Sequence, residues 1–278
     1  MQTIAILGAG AVGGAVARAL ACLDLVPRIT IVDESGAVAS GKALDIRQSG
    51  PVEGFDTRLE GTSDLSRVSG AGLLVLADQH GSGEWAGDAG LQLLRRIHEM
   101  SPRAVIVAAG GGQLGLLRLG ATELRIPSRQ LIGSAPVAAT GAARALAAME
   151  LDVSATDVGL TLVGAPPDWI VAWADTTVAG TPVTRLVSAA GILRIEQRLR
   201  ASWPPGPYQL ASAATAVIRA IVTRSRRRQC CFVSDGERLG VPVHVAMPSL
   251  LGPEGVRAID LPALAPRERV MLDGMLRP

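Results

Sequence analysis

Three glycines near the beginning of the chain have the spacing of a loop that binds a dinucleotide. Gly8, Gly10 and Gly13 form a Gly-x-Gly-x-x-Gly motif, and Asp33 follows twenty residues after its last glycine. In such a loop the first glycine permits a tight turn, the second lets a pyrophosphate approach the backbone, and the third lets a helix pack closely on a strand. A carboxylate at this distance would accept hydrogen bonds from a ribose diol. These residues therefore predict a dinucleotide site.

Apolar runs on both sides of the glycines supply the elements that would position them. Residues 3–7 are long enough for one buried strand, and a helical stretch follows the motif to about residue 22. A second apolar strand, residues 28–33, ends in Asp33, so that the helix N-terminus would face the phosphates. Glu34 follows rather than arginine, which favours NAD over NADP because a 2′-phosphate would be repelled. The open alternative is the same fold without its ligand.

Strands and helices continue to alternate through the first half of the chain. Residues 72–77 and 104–109 have the apolar composition of buried strands, residues 91–100 are helical, and residues 129–135 complete the pattern. This order predicts a doubly wound parallel sheet, the Rossmann type of α/β fold, with right-handed crossovers. Ligands of such sheets bind beyond the carboxyl ends of the strands. The predicted cofactor-binding residues are Gly8, Gly10, Ala11, Val12, Gly13, Asp33, Ala77 and Asp78.

The second half of the chain has a different order of elements. A helix over 137–149 precedes two strand-like runs, 157–164 and 168–180, which Pro166 and Pro167 interrupt. The later predicted elements are helices at about 185–200 and 207–226, strands at 229–234 and 243–252, and a terminal helix from about residue 266. This pattern predicts two domains, an NAD-binding Rossmann domain over 1–135 and an α+β substrate domain over 136–278.

The composition excludes several kinds of partner. The net charge of +2 is too close to zero for a nucleic-acid-binding protein. No apolar run of about 18 residues without charges is present, which predicts no membrane span. The cysteines, Cys22, Cys230 and Cys231, lack the spacing of metal ligands, and so few cysteines are typical of a reducing compartment. We therefore expect a cytoplasmic protein without a metal site.

Several long segments resemble the lactate/malate dehydrogenase family. They include ILGAGAVGGAVA at the start, VDESGAVASGKALDIRQSGP after the second strand, and GVPVHVAMPSLLGPEGVRAIDLPALAPRE near the end, and the similarity covers nearly the whole chain. The resemblance implies an NAD-binding Rossmann domain and an α+β substrate domain. It also implies hydride transfer between nicotinamide and a 2-hydroxy or 2-oxo acid, by a homodimer or homotetramer.

The residues that carry the family's chemistry do not match. Family members have a proton-transfer histidine at the position of Pro166, within Gly-Glu-His-Gly-Asp, of which Gly164 and Asp168 alone are matched here. They also have an aspartate that orients this histidine and an arginine that binds the substrate carboxylate. Ala139 and Ala142 stand at those two positions.

Two further features of the family's substrate site differ. Gly111 and Gly112 stand where the family has an Asn-Pro pair that orients the substrate, and the loop after residues 72–77 is too short and lacks the family's arginines. Proton transfer alone typically contributes roughly 10²–10⁴-fold to a rate. We therefore predict that the inherited reaction is lost, and that small residues leave the pocket wider and less cationic than in the family.

Three side chains are the candidate catalytic groups of such a remodelled site. His80 lies in the loop after residues 72–77, and it is either a replacement base or part of a polar surface turn. Asp168 matches a family aspartate, and it is either a site residue or a structural hydrogen-bonding group. Tyr208 opens the helix whose beginning faces the substrate in the family, and it is a candidate ligand contact.

Three functions stay open from the sequence. The first, which we favour, is an NAD(H)-binding protein with changed chemistry or a changed substrate, because the glycine motif is intact beside a remodelled catalytic half. The second is a non-catalytic NAD-binding scaffold subunit, which could pair with an active partner enzyme. The third is a functioning malate or lactate dehydrogenase. We expect the ligand of the first to be a bulkier small molecule than a simple 2-hydroxy acid.

Overall fold

The structure is a computed structural model, and it describes residues 3–234 and 244–276. The apolar run at the start forms β1 (Thr3–Leu7), and the glycine motif leads into α1 (Ala11–Cys22), as predicted. The first half continues with β2 (Arg28–Val32), α2 (Gly36–Glu53), β3 (Arg58–Thr62), β4 (Leu73–Leu76), β5 (Asp78–Gln79), β6 (Gly83–Glu84), α3 (Gly87–Met100), β7 (Val105–Ala108), α4 (Leu114–Thr122) and β8 (Leu131–Gly133).

The second half begins with a long helix and ends with another. Its helices and strands are α5 (Ala135–Leu151), β9 (Val158–Gly159), β10 (Leu162–Ala165), β11 (Asp168–Val171), β12 (Thr177–Val178), β13 (Thr181–Pro182), α6 (Ala189–Ala201), α7 (Pro207–Val222), β14 (Gln229–Val233), β15 (Val245–Gly252), β16 (Gly255–Ile259) and α8 (Pro266–Met275). Short 3₁₀ helices cover Leu65–Val68, Ser128–Gln130, Trp173–Asp175 and Val183–Arg185. The first residue of the strand predicted at 243–252 lies outside the described residues.

One large sheet organises the molecule. Its strand order is β11-β10-β15-β14-β8-β7-β4-β1-β2-β3, and β16 pairs with β15 at its side. The strands from β8 to β3 in this order run parallel, whereas those contributed by the second half pair antiparallel. The predicted fold class, a doubly wound parallel sheet followed by an α+β half, is confirmed.

The core is aliphatic because the central strands are covered on both faces. Every residue of β4 is buried, and so are Ile4, Ile6, Ile29 and Ile31 in the neighbouring strands. Fully burying such a side chain stabilises the fold by roughly 1.5–3 kcal/mol. Helix α7 packs against α1 and α5, so it helps to cover the parallel strands. Within the described ranges, no helix is both long and apolar enough to cross a bilayer.

The sheet is continuous across the predicted boundary at residue 135. Strand β14 pairs with β8, with Phe232 opposite Gly133, and thereby joins strands from the two halves of the chain. A side chain at Gly133 would overlap Phe232, so glycine permits this close pairing. The division into residues 1–135 and 136–278 stays a prediction.

A short hairpin forms in the segment that follows β4. Strands β5 and β6 pair antiparallel, with Asp78 opposite Glu84, and the turn between them contains Gly81 and leads into Gly83, the first residue of β6. Both glycines have positive φ, 80° and 81°, a conformation that side-chain-bearing residues rarely adopt. The sequence predicted a polar loop here, and the structure shows that this loop is folded back as a paired ribbon.

Candidate functional site

The glycine motif forms the predicted tight turn between β1 and α1. Gly8 has φ +119°, and a Cβ on it would overlap the backbone carbonyl of Asp78. A Cβ on Gly13 would overlap the carbonyl oxygen of Gly8, so glycine at this position lets α1 approach β1 closely. No acidic residue lies in the first turn of α1. The backbone N–H groups of the first turn of α1 therefore favour an anion at the end of the sheet, although one of them, that of Gly13, already donates to the Asp78 carboxylate.

Asp33 lies directly after β2, at the predicted position, and is buried. Its Oδ2 accepts hydrogen bonds from the backbone N–H groups of Ala9 at 2.7 Å and His80 at 3.0 Å, and its Oδ1 accepts one from Ser35 at 2.9 Å. Burial alone would raise the pKa of Asp33, but these three donors favour the carboxylate and hold the pKa below its usual range. The acid is therefore charged at neutral pH, and its oxygens are bonded within the chain.

A cleft of about 460 Å³ opens beside Asp33. It is lined by Leu7, Val32, Asp33, Glu34, Ser63, Asp64, Leu65, Trp85, Ala89, Gln92, Leu93 and Arg96. The indole N–H of Trp85 donates to the carbonyl of Leu7 at 3.1 Å, which holds the ring against the end of β1. Because the cleft combines apolar walls with three carboxylates and one arginine, it suits a ligand with a flat apolar part and hydroxyl groups.

The side chain of Asp78 lies on the glycine loop itself. The N–H of Gly13 donates to Asp78 Oδ1 at 2.9 Å, and the N–H of Gly10 donates to the backbone carbonyl of Asp78 at 2.8 Å. A Cβ on Gly10 would overlap the Asp78 carboxyl group. The backbone has the close approach that a pyrophosphate needs, but a carboxylate of the chain fills part of that space.

A second carboxylate of the same hairpin reaches the next strand end. Glu84 accepts hydrogen bonds from the N–H groups of Gly111 at 2.7 Å and Gly112 at 2.8 Å, just before α4. A Cβ on Gly110 would overlap the Glu84 carboxyl group, and one on Gly111 would lie 3.3 Å from Pro204. The small residues at 110–112 were expected to widen the pocket, but Glu84 and Pro204 take up that room.

Lys42, the single lysine of the chain, also contacts the glycine loop. Its Nζ donates to the carbonyl oxygen of Gly10 at 2.6 Å. Lys42 lies on α2, which the sequence analysis did not predict as a helix and which contains Pro51. Helix α2 therefore brings a cation to the glycine loop.

The three candidate catalytic side chains are separated. His80 is exposed and meets Asp33 through its backbone N–H. Asp168 is exposed at the beginning of β11, 3.9 Å from Arg200 Nε. Tyr208 is 83% exposed beside a cavity of about 340 Å³ that Gln209 also lines. Within the part of the chain that the structure describes, no hydrogen bond or ion pair joins any two of the three candidates.

Other surfaces of the molecule carry little chemistry. A cleft of about 630 Å³ lies at the amino-terminal edge of the parallel strands, next to Asp24, Arg28 and Arg58, and is therefore remote from the glycine loop. Across residues 3–234 and 244–276, no group of three or more histidines, cysteines or acidic residues could hold a metal ion.

Comparison with known proteins identifies relatives along nearly the full length. No protein-family model matches the chain. The malate dehydrogenase of Salinibacter ruber (strain DSM 13855 / M31) is 30% identical over 282 residues, covering 92% of this chain and 88% of that protein. The malate dehydrogenase of Roseiflexus sp. (strain RS-1) is 29% identical, covering 93% and 90%. The chain belongs to the lactate/malate dehydrogenase family.

Solved structures of that family have the same fold. The 1.55 Å structure of malate dehydrogenase from Salinibacter ruber has a TM-score of 0.88 at 27% identity and covers 99% of this chain and 94% of that one. The lactate dehydrogenase from Cryptosporidium parvum, in complex with lactic acid and nicotinamide adenine dinucleotide, has a TM-score of 0.88 at 21% identity, with the same coverage. At that lower identity the likeness concerns the fold alone.

Pro166 and Ala139, which the sequence analysis singled out, lie at the end of β10 and within α5. Pro166 directly follows β10 and is joined to Pro167 by a cis peptide bond. Ala139 in α5 is buried. Trp169, in the strand after the prolines, stands edge-on to Trp203 at 5.0 Å between ring centroids and stacks on Phe232 at 6.0 Å. Pro166 is half-buried, whereas Trp169, which forms this aromatic cluster with Trp203 and Phe232, is buried.

Two contacts of this site were missed by the sequence reasoning. Asp78, which the sequence predicts as a cofactor-binding residue, lies beside the loop, and its carboxylate accepts a hydrogen bond from a loop amide. The sequence analysis did not single out Glu84, which accepts hydrogen bonds from the N–H groups of Gly111 and Gly112. One feature of the sequence could have predicted these contacts. Two acidic residues, Asp78 and Glu84, stand at the ends of a glycine-rich segment that could fold into a hairpin.

Proposed function

We propose that the protein is an NAD(H)-binding member of the family in which ordinary 2-hydroxy-acid dehydrogenation is lost and the pocket is remodelled for a different substrate or reaction. One observation carries this proposal. The glycine loop allows the close backbone approach that a pyrophosphate needs, with Asp33 beside it, whereas by the family resemblance Pro166, Ala139 and Ala142 stand at the positions of the acid/base and carboxylate-binding groups. The residues suited to the cofactor are therefore present without the groups that the family's dehydrogenase reaction needs.

Particular residues would hold the cofactor. The N–H groups at the start of α1 would bind the pyrophosphate, and Asp33, with Glu34 beside it, would accept hydrogen bonds from a ribose. When bound, NAD supplies a hydride acceptor, and NADH a hydride donor. The chain's own part is to bind and orient the dinucleotide, because the proline side chain at position 166 can neither take up nor release a proton.

The proposed ligand is a small molecule other than a simple 2-hydroxy acid. A carboxylate substrate is normally held by a cation, often a bidentate arginine, and the corresponding position is Ala142. Trp203, which packs edge-on against the buried Trp169, is a partly exposed aromatic ring of this half of the chain. We expect the protein to act on or respond to a more apolar molecule, as a homodimer or homotetramer.

Two other functions are supported by specific observations. The relatives named malate dehydrogenase match more than nine-tenths of the chain, at 29% and 30% identity, which favours a functioning dehydrogenase completed by other groups. The separation of His80, Asp168 and Tyr208 favours a non-catalytic scaffold subunit, because proton transfer requires groups within hydrogen-bond reach of the same substrate.

The test combines nucleotide binding with turnover. Titration calorimetry with NAD and NADH should give measurable binding heat, and assays with oxaloacetate or pyruvate should show no NADH consumption near the rates of about 1–10³ s⁻¹ that enzymes typically reach. The Salinibacter ruber malate dehydrogenase, assayed in parallel, is the positive control. Consumption at an ordinary rate would support the functioning dehydrogenase. A turnover with another substrate that His80→Ala abolishes would exclude the scaffold.

A further inference from the structure

The hairpin β5–β6 places two carboxylates on the two groups of backbone amides that border the dinucleotide site. Asp78 accepts from Gly13 at the beginning of α1, and Glu84 accepts from Gly111 and Gly112 just before α4. The hairpin is anchored at its end by Trp85, whose indole N–H donates to Leu7. A single short element thus engages the carboxyl ends of three neighbouring strands, β1, β4 and β7.

Asp78 uses the donor that a pyrophosphate would use. The N-terminus of α1 favours an anion because of its free N–H groups and the helix dipole, and the Asp78 carboxylate is such an anion at 2.9 Å from Gly13 N. Its carboxyl carbon lies against Gly10, in the space that a Cβ would occupy. Two anions cannot share this space, since they would overlap and repel each other.

The same hairpin also occupies part of the hydrogen-bonding capacity of Asp33. The N–H of His80, in the hairpin turn, donates to Asp33 Oδ2, the oxygen that also accepts from Ala9. A ribose diol must compete with this donor for the carboxylate. Removing the hairpin would therefore open the phosphate position and free an acceptor for the ribose in one step.

The charges of the two opposite carboxylates favour release of the whole hairpin in one step. Asp78 and Glu84 stand directly opposite each other in the ribbon, and like charges at such a pair are destabilising. Each carboxylate is compensated by its own amide donors on the neighbouring loops. When one carboxylate loses its donors, its repulsion with the other is no longer offset.

We propose that the hairpin of residues 78–84 is an intramolecular occupant of the dinucleotide site, which a bound nucleotide must displace. The inference rests on the proposed function, that the protein binds NAD(H). It makes Asp78 a residue that lowers nucleotide affinity, and it makes the hairpin a switch between a closed form without nucleotide and an open form with it.

The decisive experiment measures NAD and NADH affinity by titration calorimetry for the natural protein, Asp78→Ala and Asp88→Ala. Asp88 is an exposed acid in the first turn of α3, so its replacement removes the same charge from the same region without touching the loop amides. We expect Asp78→Ala to bind at least about tenfold more tightly than the natural protein, because an anion leaves the phosphate position. Asp88→Ala should bind like the natural protein.

Hydrogen exchange gives a second measurement on the natural protein. Nucleotide should accelerate exchange of the hairpin amides, including that of His80, while it slows exchange at Gly10 and Gly13. Circular dichroism checks that each variant is folded, and Asp78→Asn, which keeps the size of the side chain, replaces Asp78→Ala if the latter unfolds.

The outcomes separate this inference from the proposed function. Equal affinity of the natural protein and the Asp78 variant, or protection of the hairpin by nucleotide, would overturn the hairpin's role and leave NAD binding intact. Absence of binding by the natural protein and by both Asp78 variants would overturn the proposed function itself. Tighter binding by Asp78→Ala with faster exchange in the hairpin supports both.

Discussion

At the scale of single residues, Asp33 shows how much one carboxylate can be determined by its neighbours. Its position directly after β2 follows from the sequence, because the apolar run before it has the length and composition of a buried strand. Its hydrogen bonds do not follow, since their donors, Ala9 and His80, are 24 and 47 residues away in the chain. Three donors make the charged form the stable one in the folded protein.

This gives the stability of the protein a defined dependence on pH. The folded pKa of Asp33 lies below the unfolded one, so the stability it contributes is present above the unfolded pKa of about 3.9 and is lost as pH falls through the folded value. Asp33→Asn should lower the free energy of unfolding at pH 7 and weaken its decline in acid, as measured by urea denaturation at pH 7 and pH 3. Asp56→Asn, which replaces an exposed acid, is the control. An unchanged pH dependence in Asp33→Asn would contradict the assignment.

At the scale of elements, the unit β1–loop–α1 is the one that the sequence predicts best. Apolar strand, glycine spacing and helix follow each other within twenty residues, so local pattern and tertiary contact agree. The hairpin β5–β6 and helix α2 are the opposite case. Their sequences are rich in glycine and polar residues, and their conformations depend on partners from distant segments: the amides beyond β7 for the hairpin, and β3 for α2.

The close contact of α1 with β1 leads to a prediction for its last glycine. Gly13→Ala should lower the free energy of unfolding by about 1–3 kcal/mol, because the added methyl group would overlap the carbonyl of Gly8 and force α1 away from β1. Chemical denaturation measures this change. Gly41→Ala is the matched control, since Gly41 lies within α2 and its Cβ would meet open space. That variant should be slightly more stable, by up to about 1 kcal/mol. Equal effects of the two changes would contradict the packing argument.

At the scale of the whole molecule, the two halves of the chain share one sheet. Phe232 lies at the junction, where β14 pairs with β8 and its ring stacks on Trp169. The two parts on either side of the predicted division at residue 135 are therefore joined by the pairing of β14 with β8. Because the two halves share one sheet, we expect them to unfold together in a single transition.

The junction can be tested by removing its largest side chain. Phe232→Ala should lower the free energy of unfolding by about 3–5 kcal/mol, because Phe232 is 1% exposed and its removal leaves a cavity between the halves. The natural protein should unfold in a single transition, followed by circular dichroism and tryptophan fluorescence in urea. Val270→Ala, at a residue that is 72% exposed in α8, should leave stability nearly unchanged. Two separate transitions in the natural protein would show that the halves fold independently.

The sequence by itself determined the alternation of strands and helices in the first half of the chain, the glycine loop with Asp33 beside it, and the presence of proline at position 166. These are local: periodicity, spacing and residue identity suffice for them. Only the tertiary structure decided what fills the site. The carboxylates of Asp78 and Glu84 accept hydrogen bonds from the amides of Gly13, Gly111 and Gly112, because a short hairpin folds back across three strand ends. Such contacts join residues 27 to 65 positions apart, and their geometry depends on the packed sheet beneath them.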